Sequence, residues 1–180
     1  MIRLGLAQFL SQEGVVESNR AKGVDAAKRL FGDGADIVLL PELTVPWYTT
    51  EHQILSEFAE DIEGPTVVEW QRTAAENDGV IIGGFCEYSE GNLYNTAVAV
   101  SETGVLAHYR KLHLFAAEKH CFQPGDLGLP VFQTRFGTIG LCICYDLRFV
   151  EVVRILALRH ADLVCVPTAW VPGFDHSKWY

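Results

Sequence analysis

The sequence predicts an α/β fold with mixed sheets and helices on one or both outer faces. Three observations carry this. Runs rich in Val, Ile, Leu and Phe recur along the chain, several too continuously apolar for a sheet that faces water. Segments with helical spacing alternate with them. Turn signals at Gly91-Asn92 and Glu102-Thr103-Gly104 add a hairpin-like run in the middle, so the strands cannot all be parallel.

In chain order, "IRLGLAQF" reads as a first strand. "VVESNRAKGVDAAKRLFGDGA" then carries helical spacing and stops at a glycine-rich end. "DIVLLPE" is a buried strand, and "EGPTVVEWQRTAAENDG" is a helix with Pro65 in its first turn. Three strands follow in "GVIIGGFCEY", "NTAVAVS" and "VLAHYRKL". Gly83-Gly84 inside the first of them marks a close backbone approach rather than a phosphate cradle, because no glycine-rich phosphate motif accompanies it. "TIGLCICYD" is a strand, "DLRFVEVVRILALRHA" a helix that Asp146 can cap, and "ADLVCVPTAW" a final strand. No linker or repeat divides residues 1–180, which read as one domain. The chain ends in aromatic and turn-forming residues soon after a buried-type strand, and is read as lacking a C-terminal part.

Composition excludes several classes. Apolar residues make up 49% and charged residues 21% of the chain, and no apolar run approaches the roughly 18 residues of a membrane span. The start "MIRLGLAQFL" has no cleavage-site pattern, so the reading is a cytosolic protein. A net charge of -9 with scattered basic residues argues against nucleic acid as a partner. The five cysteines form no CxxC pair and are read as free thiols, without a structural zinc site.

Three polar residues interrupt strands near their C-terminal ends, where α/β proteins place ligand sites: Glu42 after "DIVLLP", Lys111 after "VLAHYR" and Cys144 after "TIGLCI". Strand periodicity puts Cys142 and Cys144 on one face and does not choose between them. The break into polar residues selects Cys144, at a strand-to-helix turn whose helix would lower the thiol pKa. None of the six histidines is an obvious base for it. A buried carboxylate such as Glu42 serves if burial raises its pKa, with a lysine nearby to balance the charge.

The ordered set "LPEL", "YRKLHLF" and "GLCICYDLRF" resembles the nitrilase superfamily of carbon-nitrogen hydrolases, from "LAQF" to "PTAW". The resemblance implies an αββα four-layer sandwich and a catalytic triad of Glu42, Lys111 and Cys144. Glu118, in "LHLFAAEKHCFQPGD", matches a second glutamate of the family. The mechanism so implied is attack by Cys144 on an amide carbon with Glu42 as base. Lys111 and the Tyr145 N–H stabilise the oxyanion. Tyr48, Arg148 and Trp170 are expected to border the substrate pocket, with Arg148 alternatively anchoring Asp146. "CYDLRF" is similar to the amidase-like members, so the expected substrate is a small amide. Carbamoyl compounds and nitriles remain alternatives, as does a non-catalytic scaffold. No metal or organic cofactor is expected. The resemblance also implies a homodimer or higher homo-oligomer, and a family that continues past the point where this chain ends.

Overall fold

The computed structural model describes residues 2–170; His176 and the tail from Val171 lie outside them. The first sheet holds five strands in the order β1 (Leu4–Leu6), β2 (Ile37–Leu39), β3 (Val80–Ser89), β4 (Asn92–Ser101) and β5 (Gly104–Arg110). The first three run parallel; β4 and β5 return antiparallel through the two predicted turns. The second sheet has the order β6 (Val131–Thr134), β7 (Gly137–Leu141) and β8 (Leu163–Cys165), with β7 antiparallel to β6 and parallel to β8.

Period-two alternation explains how the layers stack. Ile82, Ala99 and Tyr109 of the first sheet share one buried core with Ile139 and Leu141 of the second. On the other side of the first sheet, Val38, Ile81, Val98 and Val100 pack with Val24 and Ala27 of α1 (Val16–Gly32) and Trp70 and Ala74 of α3 (Pro65–Glu76). Helix α4 (Val150–Leu158) covers the second sheet, with Leu156 against Gly140. The layers are therefore helix, sheet, sheet, helix, as the resemblance implied.

Several boundaries differ from expectation. Helix α2 (His52–Phe58) and strand β6 were not anticipated. The "TIGLCICYD" strand ends at Leu141, and α4 begins at Val150 rather than after Asp146. Residues 144–148 instead form one 3-10 turn. Asp146 caps that turn, accepting the Ile143 N–H at 3.0 Å.

Candidate functional site

Glu42 lies in a turn just past β2, pinned to β3. Gly84 N–H donates to the Pro41 carbonyl at 3.1 Å, and Thr44 N–H donates to the Gly84 carbonyl at 2.8 Å. A Cβ on Gly84 would lie 2.8 Å from the Glu42 Cα, so only glycine permits this approach. Lys111 follows β5 directly and its N–H donates to the Asn95 carbonyl of β4 at 2.9 Å. The loop that returns from Glu118 closes on the same point: Gly125 N–H donates to the Lys111 carbonyl at 2.9 Å, where a Cβ would collide with the Arg110 carbonyl.

These elements bring three ionisable groups together in the interior. The Lys111 ammonium donates to Glu42 Oε1 at 2.6 Å and to both oxygens of Glu118 at 2.8 and 2.9 Å. All three side chains are at most 1% exposed. Buried charges persist only when paired and hydrogen-bonded. Here the remaining acceptor sites are answered as well. Asn95 Nδ2 donates to Glu42 Oε1 at 2.9 Å, and the Ala169 N–H donates to Oε2 at 2.9 Å. Tyr48 Oη–H and the Phe115 N–H donate to Glu118 at 3.0 and 2.7 Å. Burial opposes the Lys111 charge, but the two carboxylates outweigh it and hold the ammonium above its usual pKa. Burial raises Glu118 against the pull of Lys111, and the charge on Glu42 adds to the rise.

Cys144 opens the 3-10 turn with φ +41°, a left-handed backbone that non-glycine residues rarely adopt. Its N–H donates to the Pro167 carbonyl at 3.1 Å. The turn is held from below by the fully buried Asp146, which also accepts Tyr109 Oη–H at 2.7 Å and the His113 N–H at 2.9 Å. His113 Nδ1 lies 2.8 Å from the same carboxylate, and its ring stacks on Phe149 at 3.7 Å.

The expected lowering of the Cys144 pKa is reversed. Burial pushes the thiol up, the Glu42 charge and a hydrogen bond to that carboxylate push it further, and Lys111 only partly offsets them. The reason is geometric: α4 starts six residues later, so no α-helix N-terminus adjoins the sulfur, while a carboxylate does. Nor do the two cysteines share a strand face, because the strand ends before Cys142. Cys142 is wholly buried in the core between the sheets, and burial pushes it up to about 12.

Of the residues expected at the pocket, Tyr48 and Trp170 border a cleft of about 720 Å³ that has Glu42 in its wall, together with Leu6, Phe9 and Leu39. Arg148 does not line it; it is exposed at the last position of the 144–148 turn, and the Asp146 oxygens are taken by Tyr109, His113 and Ile143. Tyr145 follows Cys144 in the turn, its ring 5.1 Å from that of Phe115. Sequence reasoning missed Asn95 and the Ala169 N–H. Asn95 was detectable as a polar residue inside a continuously buried strand; a backbone donor from a distant segment leaves no sequence signal. Among the described residues no group of three or more His, Cys, Asp or Glu side chains is arranged to hold a metal ion, and no helix is long and apolar enough to cross a membrane.

The site can be set beside known proteins. The chain is 37% identical over 169 residues to a nitrilase of Pyrococcus abyssi, covering 93% of this chain and 64% of that one. It is 36% identical over 161 residues to an N-carbamoylputrescine amidase of Oryza sativa subsp. japonica, covering 83% of this chain and 54% of that one. It thus spans less than two thirds of the length of either relative. Among solved structures, the amidase from Nesterenkonia sp. AN1 superposes with a TM-score of 0.87 at 28% identity, over 99% of this chain and 70% of that one. That structure is of a glutamate-to-glutamine mutant in which acrylamide has added to the active-site cysteine. The carbon-nitrogen hydrolase family model matches residues 3–179, nearly the whole length described above, and the chain therefore belongs to that family.

Proposed function

We propose that this chain carries the reaction centre of an amidase-type hydrolase that cleaves a small amide through a thioester on Cys144. One observation supports this most: a buried carboxylate, held at Oε1 by Lys111 and Asn95, lies close enough to Cys144, the one cysteine that is not buried, to act on its thiol. Glu42 takes the Cys144 proton as Sγ attacks the amide carbon, and the carbonyl π pair moves to oxygen. The oxyanion is stabilised by the Lys111 ammonium and the Tyr145 N–H; losing one such donor costs on the order of 3 kcal/mol. Collapse expels the nitrogen, which takes the proton from Glu42 and leaves as ammonia. Glu42 then deprotonates a water that attacks the thioester, and returns the proton to sulfur as the acid departs. Glu118 orients Lys111 through its two-oxygen contact.

The raised thiol pKa fits this role. A resting thiolate is not needed where the base adjoins the sulfur, and a neutral thiol avoids adding a second uncompensated negative charge to the cluster. The test is incubation of the protein, in turn, with short aliphatic amides, N-carbamoyl compounds and nitriles, with ammonia and carbon dioxide release measured and intact mass recorded on Cys144. Ammonia and acid in equal amounts, with an acyl adduct trapped at Cys144, are expected. Carbon dioxide released as well would redirect the substrate to carbamoyl compounds, and activity on nitriles alone to a nitrilase. A folded protein with no turnover and no adduct on any of the three substrates refutes the reading.

A further inference from the structure

Asn95 is fully buried in β4, opposite Cys86 of β3, and its carbonyl holds the Lys111 N–H at 2.9 Å. Its amide reaches the same two oxygens that the lysine bridges. Nδ2 donates to Glu42 Oε1 at 2.9 Å and lies 3.4 Å from Glu118 Oε1; Lys111 Nζ meets these oxygens at 2.6 and 2.9 Å. Two carboxylates are thus joined by one charged donor and one neutral one. The amide has only one tolerable orientation, since turning it would aim Oδ1 at both carboxylate oxygens. In that orientation Oδ1 is buried with no hydrogen-bond partner among the described residues. A buried acceptor left unpaired opposes folding. Its retention points to the opposite edge of the amide as the useful one.

We propose that Asn95 is a positioning residue: with Lys111 it ties down Oε1 of Glu42 and separates that carboxylate from Glu118, leaving Oε2, which accepts the Ala169 N–H, as the oxygen that takes the proton. This rests on the proposed role of Glu42 as base. The groups facing Glu42 are Lys111 after β5, Glu118 in the 116–120 turn, Cys144 in the 144–148 turn and Tyr48, with Asn95 and the Ala169 N–H as neutral donors. Without the Asn95 amide, Glu42 loses a donor and the repulsion between the carboxylates loses its neutral brace. Both changes favour uptake of a proton by the carboxylate pair. The base is then lost at a higher pH.

The experiment follows Cys144 alkylation by iodoacetamide against pH, read by mass spectrometry, in the unsubstituted protein, Glu42→Gln, Asn95→Ala and the isosteric Asn95→Asp. Melting temperature is recorded for each. Beyond the decline set by ionisation of the Cys144 thiol itself, the unsubstituted protein should show a further fall in rate on the acid side that Glu42→Gln removes, which assigns that further fall to Glu42. Asn95→Ala should move it upward by about one pH unit. Asn95→Asp, which adds a third carboxylate, should move it further. A purely structural role would lower melting temperature and rate while leaving the midpoint in place. An unmoved midpoint in a folded Asn95 variant therefore overturns the proposal. Absence of any Glu42-dependent fall in the unsubstituted protein overturns the assignment of Glu42 itself, and Asn95 with it. That second failure is recognised before any Asn95 substitution is made.

Discussion

The turn that carries Glu42 rests on β3 at a single glycine, and substitution of that glycine should impair catalysis more than it impairs folding. In Gly84→Ala the added Cβ would lie 2.7 Å from the Leu43 nitrogen and 2.8 Å from the Glu42 Cα. Ordinary carbon contacts are about 3.5–4.0 Å, so the two segments must separate by roughly 1 Å. The turn cannot lift away freely, because hydrogen bonds at Pro41 and Thr44 clamp it to Gly84 on both sides. Overpacking of this kind costs about 1–3 kcal/mol of stability. A displacement of about 1 Å in a catalytic group costs on the order of 100-fold in rate. The neighbouring Gly83→Ala is the control. Its Cβ would meet the Trp70 ring at 2.7 Å, on the helix side, so it should lower the melting temperature by a similar amount while the rate per folded molecule is largely kept. The assay is ammonia release at saturating amide, normalised to folded protein, alongside thermal melts. A folded Gly84→Ala protein with unsubstituted turnover refutes the argument, as does an equal rate loss in the two variants.

Cys144→Ala should abolish turnover, whereas Cys142→Ala should retain most of it and lose about 1 kcal/mol of stability through a small cavity; equal loss of turnover from both would undo the choice of nucleophile. Glu87 is predicted to support stability in a defined pH window. Burial raises its pKa, but hydrogen bonds from His108, Arg110 and Thr96 outweigh this and hold it at about 2, below the ordinary 4.5. Its contribution is therefore full above about pH 4.5 and is lost as pH falls through about 2. It amounts to on the order of 3 kcal/mol, and denaturant titrations of Glu87→Gln should show a correspondingly shallower acid decline. Asp146→Asn leaves an amide where the carboxylate accepts from Tyr109, Ile143 and His113, and should cost about 2 kcal/mol and slow turnover by relaxing the turn at Cys144. Tyr109→Phe, which removes one of those donors, should show a smaller loss in the same two measurements.

The strands that deliver Glu42, Lys111 and Cys144 could be read because each apolar run stops abruptly at an ionisable residue, which a buried sheet tolerates only at its ends. The parts that could not be read depend on distance in sequence. Asn95 sits in a strand whose residues from Leu93 to Ser101 are all buried, and its two carboxylate partners lie 53 and 23 residues away. Asp146 resembled a helix cap because Asp before an apolar helix usually is one. Its actual partners include Tyr109 and His113, which the fold brings from 37 and 33 residues upstream. Strand β6 has four residues and follows a loop rich in glycine and proline, too short for alternation to register. The direction of the Cys144 shift was misjudged for a related reason. Local chain chemistry suggested a helix dipole, whereas burial of the thiol dominates, followed by the charge of a carboxylate from the other sheet.

That neighbour acts on the thiol in two opposed ways. The Glu42 charge makes Cys144 harder to ionise, yet the same carboxylate is the proposed acceptor of its proton. Glu42→Gln should separate the two effects. Removing the charge lets the Lys111 ammonium act on the sulfur with less opposition, so the thiol pKa falls and alkylation by iodoacetamide at alkaline pH becomes faster than in the unsubstituted protein. Amide hydrolysis should fall by about 1,000-fold or more, because no group remains to carry the proton from sulfur to nitrogen and then to activate water. If the variant became slower in both reactions, Glu42 would be holding the site together rather than moving a proton. If it became faster in alkylation and kept its hydrolysis, some other group would be the base.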